Sequence, residues 1–237
     1  MVKQRVVVAM SGGVDSSLTA CLLKEMKYDV IGATMQIWKE EKSPHGSCGA
    51  VAVADAKRVA QQLGIPHFVI HLEEAFEKEV IQYFCREYRE GRTPNPCVVC
   101  NQKIKFGALL SKALELEADW LATGHYVKLV HDEGMGRYLL KKGIDKRKDQ
   151  SYVLFSLTQD QLRHALFPIG DYVKEDVRNK ALQLSLGVHD KPESQEICFI
   201  QESSYHSFLR ERLEESVELG PIVDREGNVL GNPPVIQ

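Results

Sequence analysis

The chain has 237 residues, 43% of them apolar and 27% charged, and its 30 basic and 33 acidic residues leave a net charge of −3. That balance excludes a disordered polyelectrolyte and a protein that coats nucleic acid by overall basicity, though a local basic patch remains open. The longest apolar runs are strand-sized, too short for a bilayer, and MVKQRVVVAM at the start lacks the apolar core and cleavage site of a secretory signal, so cytoplasmic residence and no membrane are expected.

Val6–Met10 is a continuous apolar run of buried-strand type, and Val14, Leu18, Cys21, Leu22 and Met26 follow it at helical spacing. DVIGATMQIW, residues 29–38, reads as a second strand. Ala52, Ala56, Val59, Ala60 and Leu63 mark a helix that stops at Gly64 with Pro66 just beyond. HFVIHL is a third strand, Glu74–Glu90 a long helix, Phe106 to Leu114 another helical stripe, and DWLATGHY a fourth strand. Such alternation predicts an α/β fold, a doubly wound, Rossmann-like parallel sheet whose ligand site lies at the carboxyl ends of its strands. Three loops interrupt it: Glu40–Gly49, the proline-stiffened Glu90–Lys103 and the basic Lys141–Tyr152. The sheet domain is expected over residues 1–170, with a smaller, mostly helical region over 171–237.

The seam between first strand and first helix is SGGVDSS, Ser11 to Ser17. Glycines allow close backbone approach, and the unpaired N–H groups of a helix start favour a phosphate. Asp15 would repel a bare phosphate; it suits a helix start or a ligand of phosphate-bound Mg²⁺. No Gly-Lys-Ser/Thr follows, so this is not a Walker A loop, and the spaced glycines of the dinucleotide fingerprint are missing. A serine-capped glycine turn is the plainer alternative.

Six cysteines are too few for a secreted disulfide scaffold of this length, and in a reducing compartment clustered cysteines more often serve metal or catalysis. Cys97 and Cys100 form a C-x-x-C, and Cys198 lies in ESQEICFI. A zinc knuckle, with His125 as the one plausible further ligand, and chance pairing are the alternatives to a catalytic role. Cys21 and Cys85 fall in predicted helices as buried apolar residues; Cys48 is undecided.

SGGVDSS resembles the pyrophosphate loop of the ATP pyrophosphatases, which have an adenine nucleotide alpha hydrolase-like fold. Together AMSGGVDSS, GRTPNPCVVCNQKIKFG, LATGHY, KDQSY and ESQEICFI, in this order, resemble the tRNA-specific 2-thiouridylase family, over nearly the whole chain to about Gly231. The resemblance implies a transferase that adenylates the wobble uridine of tRNA with ATP and replaces its C2 oxygen by sulfur. It places ATP on Ala9, Met10, Ser11, Gly12, Gly13, Val14, Asp15 and Ser16, with Met35 and Gly124 lining the nucleotide pocket. Asn95, Pro96 and Cys97 would lie by the target base, and Lys148, Asp149 and Gln150 would contact tRNA, with His125 beside them and the nucleotide. Cys100 matches the nucleophile and Cys198 the persulfide carrier, so a Cys100–Cys198 disulfide would form on sulfur delivery and be reset by an external thiol.

Two departures from that pattern bear on mechanism. Relatives commonly carry aspartate where this chain has Cys97, so Cys97, Cys100 and Cys198 could instead hold a 4Fe–4S cluster with an open iron for sulfide. The sulfur donor is correspondingly a persulfide carrier protein or sulfide. The resemblance also implies continuation into a C-terminal β-barrel, whereas NPPVIQ ends this chain, as expected of truncation before the barrel or of a shortened relative. Lys141, Lys142, Lys146, Arg147 and Lys148 are expected to meet RNA phosphates, with Arg86, Arg89, Arg92, Lys103 and Lys105 extending that surface; a solvated loop is the alternative. A sulfurtransferase with another acceptor, or a nucleotide-binding or iron–sulfur module without turnover, are the remaining functional readings.

Overall fold

The computed structural model describes residues 4–38, 49–191, 197–200, 205–212 and 221–231. The expected loop Glu40–Gly49, including Cys48, lies outside them up to Gly49, which is described. The chain divides into two compact units, residues 1–201 and 202–237.

The first unit is built on a five-stranded sheet in the order β3-β2-β1-β4-β7, with every pairing parallel. Its strands are β1 (Arg5–Ala9), β2 (Asp29–Gln36), β3 (His67–His71), β4 (Trp120–Ala122) and β7 (Ala165–Leu166). Val7 pairs with Ile31 of β2 on one side and Leu121 of β4 on the other, so β1 is central. The chain reverses its direction of strand addition between β1 and β4, and such a switch point opens a crevice at the strands' carboxyl ends.

Helices α1 (Val14–Glu25) and α2 (Ala50–Leu63) follow β1 and β2 as expected, and α2 ends at Gly64. Val6 and Val8 pack with Leu18, Leu22, Ala56 and Val59 from these helices; Val7, also buried, alternates to the opposite side of the sheet. Helix α3 (Glu73–Phe76) runs into α4 (Gln82–Arg89) through wide π-helical turns at Glu77–Ile81.

The loop expected over Glu90–Lys103 is only half a loop. Asn95 accepts hydrogen bonds from the Cys97 and Val98 N–H groups, Pro96 occupies the first helical position, and α5 (Pro96–Val99) begins there. It continues as a π-helix, Cys100–Leu109, into α6 (Leu110–Glu115). The expected fourth strand is shorter too: β4 stops at Ala122, leaving Thr123 to Tyr126 as a loop. An antiparallel hairpin of β5 (Val127–Asp132) and β6 (Arg137–Lys142) follows, then α7 (Gln159–Arg163).

The compact sheet unit also extends past the expected boundary at residue 170. Helix α8 (Lys174–Gln183) places Val177 and Ala181 in the core with α1 and β1, which ties it to the sheet. The second unit holds α9 (Tyr205–Arg212) and the hairpin of β8 (Ile222–Val223) and β9 (Val229–Gly231).

Candidate active site

At the switch point, a cavity of about 760 Å³ opens between the ends of β1, β2 and β4, a volume in the range of small-molecule sites. Ser11, Gly13, Val14, Asp15 and Ser16 form one wall. Gly12 has φ +67°, and a Cβ there would stand 2.4 Å from the Ala52 carbonyl oxygen, so only glycine permits this turn. Gly124 brings the β4 loop onto the start of α1: a Cβ would lie 2.8 Å from both the Asp15 carbonyl carbon and the Ser16 nitrogen. The serines are mostly internal braces. The Ser16 hydroxyl accepts from the Ser11 N–H at 3.1 Å, while buried Ser17 donates to the Gly13 carbonyl at 2.8 Å and does not face a ligand.

Asp15 does not present an unengaged carboxylate. Both its oxygens lie 2.7 Å from the Lys174 ammonium, and the Tyr126 hydroxyl donates to Oδ1 at 2.7 Å. Lys191 donates to the Gly12 carbonyl at 3.1 Å and pairs with Asp55 at 2.7 Å. Lys105, Lys148, Lys174 and Lys191 all line the cavity, and Asp15 is the only acidic residue among its described lining. A cavity of this charge suits an anion.

Cys97 and Cys100, one helical turn apart, and Cys198, from another segment, line the same cavity. Cys97 keeps an exposed face, yet the protein packed around its sulfur pushes the thiol pKa up, and the Lys105 cation partly opposes this. Phe199 packs against Trp38, Phe76 and Phe84 with ring centroids 6.3, 5.9 and 5.2 Å away, and so anchors the segment carrying Cys198. Among the described residues, no three His, Cys, Asp or Glu side chains converge as metal ligands would. Neither the expected 4Fe–4S cluster nor a zinc set completed by His125 has a ready-formed ligand sphere among the described residues.

Of the other expected residues, Ala9, Met10, Met35, Pro96, His125, Lys148 and Gln150 line the cavity. His125 is 7% exposed, with Nδ1 2.7 Å from the Thr123 hydroxyl. Burial first, and Lys105 second, hold its pKa well below the usual histidine value, so it is neutral at pH 7. Asn95, Gly12 and Asp149 are not among the lining residues. Asn95 is a helix cap, and the Asp149 carboxylate accepts from Gly143 N–H and the Ser151 hydroxyl at 3.0 and 2.7 Å. Gln150 is bound inward as well, accepting from the Tyr126 N–H at 3.0 Å. Arg92 stays exposed but pairs with Glu87 and Glu90, which offsets its charge on the expected basic surface. Thr34, Asn101, Tyr126, Lys174 and Lys191 are lining residues that the motifs did not single out.

A family model described as the tRNA methyl transferase HUP domain matches residues 4–202. The chain belongs to this family. Among curated proteins it is 55% identical over 233 residues to the tRNA-specific 2-thiouridylase MnmA of Heliobacterium modesticaldum, covering 97% of this chain and 60% of that protein. It is 53% identical over 234 residues to the MnmA of Carboxydothermus hydrogenoformans, covering 97% and 64%. The chain thus spans a little over three-fifths of the length of these relatives. Among solved structures, the NMN synthetase of Francisella tularensis superposes with a TM-score of 0.50 at 13% identity, over 92% of this chain and 80% of that one, a likeness of fold.

Proposed function

We propose that the chain is the catalytic part of an ATP-dependent tRNA sulfurtransferase that thiolates C2 of the wobble uridine. The carrying observation is that a glycine loop with four cavity-lining lysines shares one cavity with Cys100 and Cys198. The names of the relatives, tRNA-specific 2-thiouridylases, support the same acceptor.

The chemistry needs two activations. A carbonyl oxygen leaves C2 poorly, so the base oxygen first attacks the α-phosphorus of ATP and pyrophosphate departs. The N–H groups at the start of α1 and the lysine wall stabilise the charge on that leaving group. Mg²⁺ carried on the phosphates would supply further charge neutralisation. The carboxylate expected to hold it, Asp15, is instead matched by Lys174, so a cation from α8 balances the loop's own anion.

Cys198, loaded as a persulfide by a donor protein, then delivers its terminal sulfur to C2, and AMP leaves. Cys100 attacks the sulfur that remains on Cys198, which frees the thiolated base and leaves a Cys100–Cys198 disulfide. An external thiol supplies the two electrons that restore both cysteines. No step requires Cys97.

RNA is expected on the surface around Lys148. Lys146 and Arg147 are exposed there, and close by in the chain Tyr152 and Phe155 are 63% and 73% exposed. Cations beside exposed aromatic rings suit a single-stranded anticodon loop, whose phosphates pair and whose bases stack. Among the described residues no helix is long and apolar enough to cross a membrane.

The test is product release from ATP. With tRNA present the chain should form AMP and pyrophosphate, and without it neither. Release independent of tRNA, or of ADP and phosphate instead, would contradict adenylation of the base.

A further inference from the structure

Cys100 opens the π-helix Cys100–Leu109, ten residues long. Wide turns of this kind usually appear singly, because the geometry is poor, and they cluster at functional sites. A run of this length needs support from outside the helix. The support comes from the stretch between Val153 and Gln161. Asn101, 3% exposed, donates through Nδ2 to the Val153 carbonyl at 3.4 Å, and Gln102 Nε2 donates to the Ser156 carbonyl at 3.1 Å. In return, Gln161 Nε2 donates to two carbonyls of the π-helix, Gln102 at 2.9 Å and Phe106 at 2.8 Å.

The Gln161 amide has no slack. Its Oε1 accepts from the Thr158 N–H at 3.0 Å, and its own N–H donates to the Thr158 hydroxyl at 3.2 Å, so it closes a capping box at the start of α7. One amide therefore caps α7 with its oxygen and ties two carbonyls of the Cys100 helix with its nitrogen.

We infer that Gln161 is a positioning residue for Cys100: it holds the wide helical pitch that sets where the Cys100 sulfur stands on the cavity wall. The inference deepens the proposed function, resting on Cys100 as the reacting sulfur, but its physical content is independent of any turnover. Gln161 touches neither the sulfur nor a substrate; it acts through the backbone of residues 102 and 106.

Gln161→Glu separates the two jobs of the side chain. A glutamate keeps the oxygen that caps α7, because glutamate serves a capping box as well as glutamine. It loses both donors and sets a carboxylate against two carbonyl oxygens. Gln161→Lys does the reverse, restoring donors to both carbonyls without the capping oxygen.

The experiment is site-resolved alkylation of the intact chain by iodoacetamide, followed by peptide mass spectrometry, with no nucleotide or RNA present. Cys21, which is buried in α1, reports global opening. In Gln161→Glu, Cys100 should alkylate roughly five- to a hundredfold faster while Cys21 stays protected, the change expected from loss of two hydrogen bonds in a locally loosened helix. Gln161→Lys should return Cys100 to the parent rate. Unchanged Cys100 labelling in Gln161→Glu would overturn the inference. So would a parallel rise at Cys100 and Cys21, which marks a merely structural role, or a failure of Gln161→Lys to restore the rate. None of these outcomes bears on whether the protein thiolates tRNA.

Discussion

The Lys174 ammonium lies 2.7 Å from each carboxylate oxygen of Asp15, joining α8 to the glycine loop across 159 positions of sequence. Lys174 is 7% exposed, and its ammonium also stands 5.6 Å from the Tyr126 ring centroid. Removing the cation leaves the Asp15 charge with only the Tyr126 hydroxyl in a poorly hydrated site. Because the Asp15 side chain keeps 30% exposure, Lys174→Met should cost about 2–3 kcal/mol, somewhat less than breaking a fully buried pair. Urea unfolding checks this. The double variant Asp15→Asn with Lys174→Met should lose less than the sum of the singles, since the two share one interaction.

Gly124 separates a structural lesion from a chemical one. A Cβ there would meet backbone atoms of Asp15 and Ser16, which cannot turn aside as a side chain can. Gly124→Ala should push the β4 loop off the start of α1 and weaken ATP binding about tenfold or more, the scale of a small misplacement in a positioned site. Isothermal titration with ATP measures it, and the α/β circular dichroism should be retained.

His125 gives the stability a pH dependence. Its folded pKa is depressed by burial, whereas in the unfolded chain it titrates near the ordinary histidine value of 6.5. Below pH 6.5 the unfolded state takes up a proton that the folded state refuses, so stability falls with acidification; above 6.5 the contribution is full. The slope approaches about 1.4 kcal/mol per pH unit for one such proton. His67, also depressed by burial, adds in the same direction. Urea midpoints between pH 5 and 7.5 should show the loss, and His125→Asn should flatten the curve.

The proposed RNA surface has an electrostatic and a stacking part. Lys146→Glu with Arg147→Glu should weaken tRNA binding and lower the salt dependence, while ATP binding stays unchanged. Tyr152→Ala or Phe155→Ala should weaken it by about 1–3 kcal/mol per lost stack without altering the salt slope. Filter binding across a salt series distinguishes the two.

How far the sequence could be read depended on how local each signal was. The βα alternation and the glycine loop are written in short windows, and Val6–Met10 followed by Ser11-Gly12-Gly13 marks the seam of first strand and first helix by itself; the switch point there needs the strand order. The helix carrying both cysteines was also legible: Asn95-Pro96 is a cap followed by a first-turn proline, yet two prolines invited a loop. The β5/β6 hairpin could have been read from Asp132 to Gly136, a glycine-containing turn between alternating strands. Lys174 could not, because nothing near it in sequence betrays that its partner is Asp15. Nor could the inward use of Asp149 and Gln150 be foreseen, since a polar residue in a basic loop looks the same whether it binds RNA or its own backbone.

The most direct test of the central claim is mass spectrometry of nucleosides from tRNA incubated with the chain, ATP and a persulfide donor. We expect the wobble uridine to exchange one oxygen for sulfur with the parent chain and with Cys97→Ser, and to remain unmodified with Cys100→Ala or Cys198→Ala. A thiolated uridine formed equally well by Cys198→Ala, or no thiolation by a parent chain that releases pyrophosphate in the presence of tRNA, would contradict it.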